Sequence, residues 1–451
     1  MSSQSTLPGQ GLLFKQFLSA IPAVLLVSVI CLATFTLWPG MTGPLVHDDH
    51  RNLAALLTEN PDYHVAILEN QGGPLGRPVT MISFAAQRAL GDSLEIREMK
   101  VLNLVIHLFN ALLIYFLLAN VFYLAGSRES AANLSVAATA LWVLNPVNTE
   151  TVLYVIQRAT LLSATFMLLA CLCYLHARLL HNSKQGALIF FLASVLCWVL
   201  AIFSKENAII LPLLLVALEL CLFETLNTKT LTRWGLILGL PLGIISLLFL
   251  NHAGYIDYSA RPYTMLERLY TQAGVLGSYF RESFAPFFTE TGIFRDDVVI
   301  QRNLFEIRTI LALSLCMALL VYALIQIKST SKLLALGILL FFLSHLVEST
   351  IIPLELYYRH RNYFPSIGTV LFITYAVYRL LLPKMNNTIG LLVLSIYLLF
   401  LAHASYFQSR TWSSYDAILL NAYKYHPFRF VLTWKCPVAW FNRAISIQPY
   451  R

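Results

Sequence analysis

The segment His47-Asp48-Asp49-His50 sets two adjacent carboxylates between two imidazoles, a grouping able to take a proton or to ligate a metal. Neighbouring carboxylates repel, so one of the two holds its proton more tightly unless a cation stands close. An Asp ahead of Arg51-Asn52-Leu53 would equally cap a helix start, and both uses fit the same residues. Far along the chain, Arg359-His360-Arg361 places two guanidinium groups around another imidazole. Guanidinium forks bind phosphate in two-pronged fashion, and ion pairs with Glu348 or Glu355, or a lipid headgroup, would also satisfy them. Between these segments, Asn103, His107 and Asn110 fall at i, i+4 and i+7, one stripe of a helix. Glu150, Tyr154 and Arg158 follow at steps of four, and Lys205 adjoins Glu206. A histidine between asparagines suits hydrogen bonding between helices as well as ligation, and Glu150 and Arg158 could simply neutralise one another.

What positions these groups is a chain of 451 residues, 58% hydrophobic and only 12% charged. Soluble domains average about 25% charged residues, so a soluble reading is excluded. The apolar residues form runs at 17–38, 101–124, 131–144, 149–175, 186–203, 207–223, 234–251, 309–327, 333–347, 366–382 and 388–407. Most approach the roughly 20 residues that a helix needs to cross a bilayer core. The expected fold is therefore an all-α polytopic membrane protein with about eleven transmembrane helices. With a cytoplasmic N-terminus, the inner loops hold Arg128, Arg178, Lys184, Lys229, Arg233, Lys328, Lys332, Arg379 and Lys384, with only Glu129 and Glu224 as acids. That asymmetry obeys the positive-inside rule and puts the C-terminal tail outside. It also accounts for the net charge of +8 without a basic patch, so no nucleic-acid partner is expected. Every reactive group named above then lies towards the outer leaflet, where an ionisable side chain is expensive and invites a functional reading. Six of the seven cysteines fall in the expected spans, which leaves no disulfide framework.

Two outer segments, 39–100 and 252–308, are too long to be mere connectors. The first should hold helices at 51–58 and 79–90 around the turn Asn70-Gln71-Gly72-Gly73-Pro74. The second should hold a helix at 264–284 lying along the membrane interface, with Arg268 and Arg281 near lipid headgroups. A membrane domain over 1–409 is thus followed by a short outer tail, 410–451.

The order and spacing of several pieces resemble the GT-C glycosyltransferases that use polyprenyl-linked sugars. The pieces are Asp48-Asp49, Arg77-Pro78, Asn103 through His107 with Asn110, Asn145-Pro146 with Glu150 and Gln157-Arg158, Ser204-Lys205-Glu206, and Glu348-Ser349 with Arg359 through Gly368. The likeness is greatest to bacterial relatives of the transmembrane-and-tetratricopeptide-repeat O-mannosyltransferases, and the tail resembles at most a vestige of such a repeat. It implies a donor sugar on a polyprenyl phosphate, an acceptor hydroxyl on a protein such as a surface or pilus subunit, and a site on the periplasmic face of a bacterial inner membrane. By that resemblance Asp48 would be the base, with Asp49 orienting it or sharing a divalent cation with it. Arg158, Lys205, Arg359 and Arg361 would hold the donor phosphate, while His107, Glu150, Glu206, Glu348 and His360 would support them or touch the sugar. No further cofactor is implied. The competing expectations are a transporter or flippase of lipid-linked sugars, which needs polar residues through the inner half of the spans, and a membrane scaffold without catalysis.

Overall fold

The computed structural model describes residues 20–180, 183–223, 257–286 and 298–425. The run expected at 234–251 and the tail from 426 onward lie outside these residues. The first apolar run folds as α1 (Ala20–Leu37) and ends in a tight turn, Trp38–Thr42, begun by Pro39. The outer loop that follows carries α2 (Asp48–Leu53), α3 (Tyr63–Leu68) and α4 (Pro78–Leu90). Next come α5 (Ile96–Leu124), α6 (Ala131–Val143), α7 (Val147–Leu153), α8 (Arg158–Leu179), α9 (Lys184–Ser204) and α10 (Leu211–Leu222). The remaining helices are α11 (Met265–Glu282), α12 (Ile307–Ile327), α13 (Lys332–Ser344), α14 (Pro365–Ala376), α15 (Asn387–Thr411) and α16 (Tyr415–Tyr425). No strand occurs among the described residues.

Seven stretches among the described residues are long and apolar enough to cross a membrane: Ala20–Thr42, Ile96–Leu124, Val155–Leu179, Lys184–Ser204, Ile307–Ile327, Ser366–Lys384 and Asn387–Thr411. The apolar helices α6 and α13 have 13 residues each. At 1.5 Å per residue they rise only about 20 Å, short of a core of about 30 Å. Leu188, Leu192 and Leu196 of α9 and Leu311, Met317 and Leu324 of α12 point outward, whereas α5 and α8 sit in the bundle interior. Helices with bare apolar faces fit a multi-pass membrane protein, because lipid satisfies what water would not. At the crossing of α13 and α14 the backbones touch: a Cβ on Gly368 would lie 2.5 Å from the Gly337 carbonyl oxygen, and one on Gly337 would lie 2.7 Å from that of Gly368.

Two elements depart from the sequence expectation. The run at 149–175 is not one helix, because α7 stops at Leu153 and a tight turn, Val155–Gln157, precedes α8. Side chains have replaced the helical ladder there: Asn103 Nδ2 donates to the carbonyls of Val152 and Val155, and the Ile156 N–H donates to Asp49 at 2.7 Å. The helix expected along the interface forms, as α11, with a capping box between Thr264 and Glu267. Its polar stripe nevertheless faces protein and not headgroups: Arg268 donates to the carbonyls of Glu348, Thr350 and Leu354, and Gln272 donates to that of Leu356. Tyr279 Oη both accepts from the Tyr358 N–H and donates to its carbonyl. Helix α11 is thus the backing that shapes the segment 348–358. A second core, separate from the bundle interior, joins Leu45, Phe84, Met99 and Val152 to Trp412 and Ile418, so α16 packs on the first outer loop.

Candidate functional site

The acidic pair divides into two environments. Asp49 is fully buried, and its carboxylate accepts the N–H of Val46 at 2.9 Å and that of Ile156 at 2.7 Å. It therefore ties the outer loop to the break before α8. Asp48 opens α2 with its side chain 54% exposed and, among the described residues, touches only His47, at 3.8 Å. Its backbone N–H, which has no partner within a first turn, donates to Tyr154 Oη at 3.1 Å. His47, just ahead of the pair, has φ 43° and ψ −110°, a conformation that costs a side-chain-bearing residue about 1–3 kcal/mol and that the surrounding bonds enforce.

Burial pushes the Asp49 carboxyl from the usual 3.8 to about 7, against the pull of Val46, Ile156 and Lys100, with Asp48 adding to the push. The folded state then holds this proton more tightly than the unfolded chain, so stability is greatest below about pH 4 and declines as pH rises towards 7. The full decline is of the order of 4 kcal/mol. Thermal unfolding in detergent between pH 4.5 and 7.5 should show that slope in the wild type and lose most of it in Asp49→Asn; equal slopes would show that Asp49 does not set it.

Four further elements bring charge to the same region. Arg77 at the head of α4 pairs with Glu206 at 3.2 Å, Lys205 Nζ lies 3.3 Å from Glu348 and 3.1 Å from Thr160 Oγ1, and His360 Nδ1 lies 2.7 Å from Glu150. Arg361 reaches Glu355, which also pairs with Arg261 at 3.0 Å, and stands over the Tyr358 ring. These groups feel one another. Burial pulls the Lys205 amine below the usual lysine range and Glu348 opposes it, while Arg77 and Arg361 pull it down further. Burial would raise Glu348, but Lys205 and Arg361 outweigh it and leave the carboxyl below the usual range. Burial, with Lys205, Arg361 and Arg77, holds His360 far below the usual imidazole range. A neutral His360 donates its Nδ1–H to Glu150 and keeps Nε2 as an acceptor. Tyr358, stacked on His360 and in electrostatic reach of both Asp48 and Glu150, joins the acidic side of the region to the basic side.

Other expected residues stand elsewhere. Arg158 is fully buried: Nε donates to Asn103 Oδ1 at 2.9 Å, Nη2 to Gln87 and to the Met99 carbonyl, and its guanidinium lies 3.7 Å from the Phe84 ring centre. It is a staple joining α4, α5 and α8 and does not join the cations above. Arg359 turns towards Glu282, 3.6 Å from Nε, and His107 bonds Tyr363 Oη at 2.8 Å against Trp142, a bond between α5 and the start of α14. Of the four expected phosphate ligands, Lys205 and Arg361 share one region. Arg77, unassigned from sequence, stands with them. One signal was visible in the sequence, the glycine-rich approach Gly72-Gly73 and Gly76; the structure adds left-handed backbone at Gly76 and Arg77, φ 68° and 52°. A Cβ on Gly73 would collide with the Glu206 carboxylate, so this loop lies flat on the Arg77–Glu206 pair.

The expected cation between Asp48 and Asp49 does not suit these positions, because both Asp49 oxygens are taken by backbone donors while Asp48 faces out. Among the described residues no group of three His, Cys, Asp or Glu side chains could hold a metal ion. No protein-family model, no curated protein and no solved structure matches the chain.

Proposed function

We propose that the chain is a GT-C-like membrane glycosyltransferase that moves a sugar from a polyprenyl phosphate to an acceptor hydroxyl, on a protein such as a surface or pilus subunit. In this reading the membrane domain, 1–409, has about eleven spans, with α6, α10, α13 and the run at 234–251 added to the seven long ones. It sits in a bacterial inner membrane with the N-terminus cytoplasmic and the site and the tail from 410 periplasmic. The observation that carries the reading is that the partly exposed carboxylate Asp48 and the cation Arg361 both lie in electrostatic reach of Tyr358, while Arg361 and Arg77 both act on the buried Lys205 amine.

Asp48 takes the proton of the acceptor hydroxyl as its oxygen bonds to the anomeric carbon. The bond from that carbon to the phosphate oxygen breaks, and its electron pair leaves with the polyprenyl phosphate. Lys205, Arg361 and Arg77 stabilise that leaving anion. Lys205 and the two cations that help depress it in the resting state, Arg77 and Arg361, gain from an anion placed among them, which supports this assignment. A hydrophobic donor enters from the bilayer and the acceptor from water.

Arg361→Lys keeps the charge but loses the planar fork, so undecaprenyl phosphate in nanodiscs should bind about tenfold more weakly, with unchanged melting. Unchanged binding would remove Arg361 from the phosphate site. Mass spectrometry of envelope glycoproteins from cells with and without the gene should reveal a missing hexose or pentose. Identical profiles would count against transfer to protein.

A further inference from the structure

The first outer loop is clamped from an unexpected quarter, the end of α15. Gly40 N–H donates to Ser409 Oγ at 2.9 Å, Ser409 Oγ donates to the Leu37 carbonyl at 2.8 Å, and the Gly40 carbonyl accepts from Lys100 Nζ at 3.1 Å. Gly43 passes so close to the Trp412 backbone that no Cβ would fit there. The Trp412 indole, 3% exposed, packs on the Tyr154 ring at 6.1 Å between centres. Tyr154 stands in the break between α7 and α8, and its hydroxyl accepts the Asp48 N–H. Ile418 of α16 continues the same core.

We infer that Tyr154 is the positioning residue for Asp48 and takes its own position from Trp412, so that the segment after the last long helix is part of the reaction site. The inference rests on the glycosyltransferase reading and deepens it. Among the described residues the Asp48 side chain has no anchor apart from His47, so the aim of its carboxylate is set through its backbone. Asp49 holds Val46 from within the loop and Ile156 across the break, Asn52 Nδ2 donates to the Asp48 carbonyl from the same short helix, and Tyr154 is the distant group that holds Asp48 directly. The two Asp49 bonds keep the loop folded without Tyr154, so losing the tyrosine hydroxyl should disturb aim and spare the fold. A misplacement of about 1 Å costs up to about a hundredfold in rate.

The test separates binding from transfer in the full-length protein. Donor-site occupancy is read with undecaprenyl phosphate in nanodiscs, and transfer by mass spectrometry of envelope glycoproteins soon after induction at matched membrane levels. Tyr154→Phe should transfer about tenfold more slowly while binding undecaprenyl phosphate within about twofold of wild type and melting at the same temperature. Trp412→Ala should lower the melting temperature, because it empties a core position, and per folded molecule should show the same separation of transfer from binding. Trp412→Phe should restore most of the loss, and the double variant Tyr154→Phe/Trp412→Ala should be no slower per folded molecule than the worse single one. Wild-type transfer by Tyr154→Phe, or parallel loss of binding and transfer, overturns the inference. So do losses that multiply in the double variant. Identical envelope glycoproteins with and without the gene would instead sink the underlying glycosyltransferase reading, and wild-type transfer by Asp48→Asn would remove Asp48 from the mechanism.

Discussion

Asp48→Asn should lower sugar transfer by about 10²–10⁴-fold, the usual worth of a placed general base, while the protein accumulates in membranes and melts as the wild type does. The expectation of an intact fold comes from the surroundings of the side chain. Its carboxylate is half-exposed and among the described residues contacts only His47, so an amide of the same shape strands no buried group there. What holds the loop is Asp49 and the backbone, and these are untouched. Undecaprenyl phosphate should bind Asp48→Asn as well as wild type, because Lys205, Arg361 and Arg77 carry that interaction in the proposed mechanism. Envelope glycoprotein profiles from cells carrying either form decide the matter: a full complement of glycan in the variant would take Asp48 out of the chemistry.

Arg158→Met should behave in the opposite way, costing about 3–5 kcal/mol of stability with the chemistry of the surviving folded molecules preserved. The guanidinium is buried beside Phe84 and supplies donors to neutral acceptors only, Asn103, Gln87 and the carbonyls of Met99 and Ser83, so the loss is the sum of stranded acceptors and not of a broken ion pair. Methionine fills much of the volume but leaves those acceptors without donors, at about 1–3 kcal/mol for each one that stays dry. Asn103 also holds the carbonyls of Val152 and Val155, so the fault should spread to the break that carries Tyr154. Melting temperature in detergent, together with transfer per folded molecule, tests this. A variant that melts normally but no longer binds undecaprenyl phosphate would return Arg158 to the phosphate site.

The helices were legible because a bilayer imposes long apolar runs, and the described spans begin and end within a few residues of those runs. The break at 154–157 was not legible. It depends on Asp49 and Asn103 supplying hydrogen bonds from distant segments, and a run of apolar residues gives no sign of that. The same reason hid the division of the arginines. Arg158, Arg359 and Arg361 all read as outer cations, and only their partners tell the buried staple Arg158 from the ion-paired Arg359 and Arg361. The contrast within Asp48-Asp49 was half visible: adjacency required different protonation behaviour, but which residue turned inward followed from the Val46 and Ile156 amides. Helix α11 shows the limit from the other side, since its amphipathic stripe was correct and its partner was peptide carbonyls instead of headgroups.

The Gly337–Gly368 contact has a mechanical consequence for any ligand. Helices α13 and α14 are the two posts between which residues 345–364 are strung, and with backbone against backbone their spacing is fixed. A ligand that rearranges this segment cannot do so by parting the two helices and has to work against α11, which holds it through Arg268 and Tyr279.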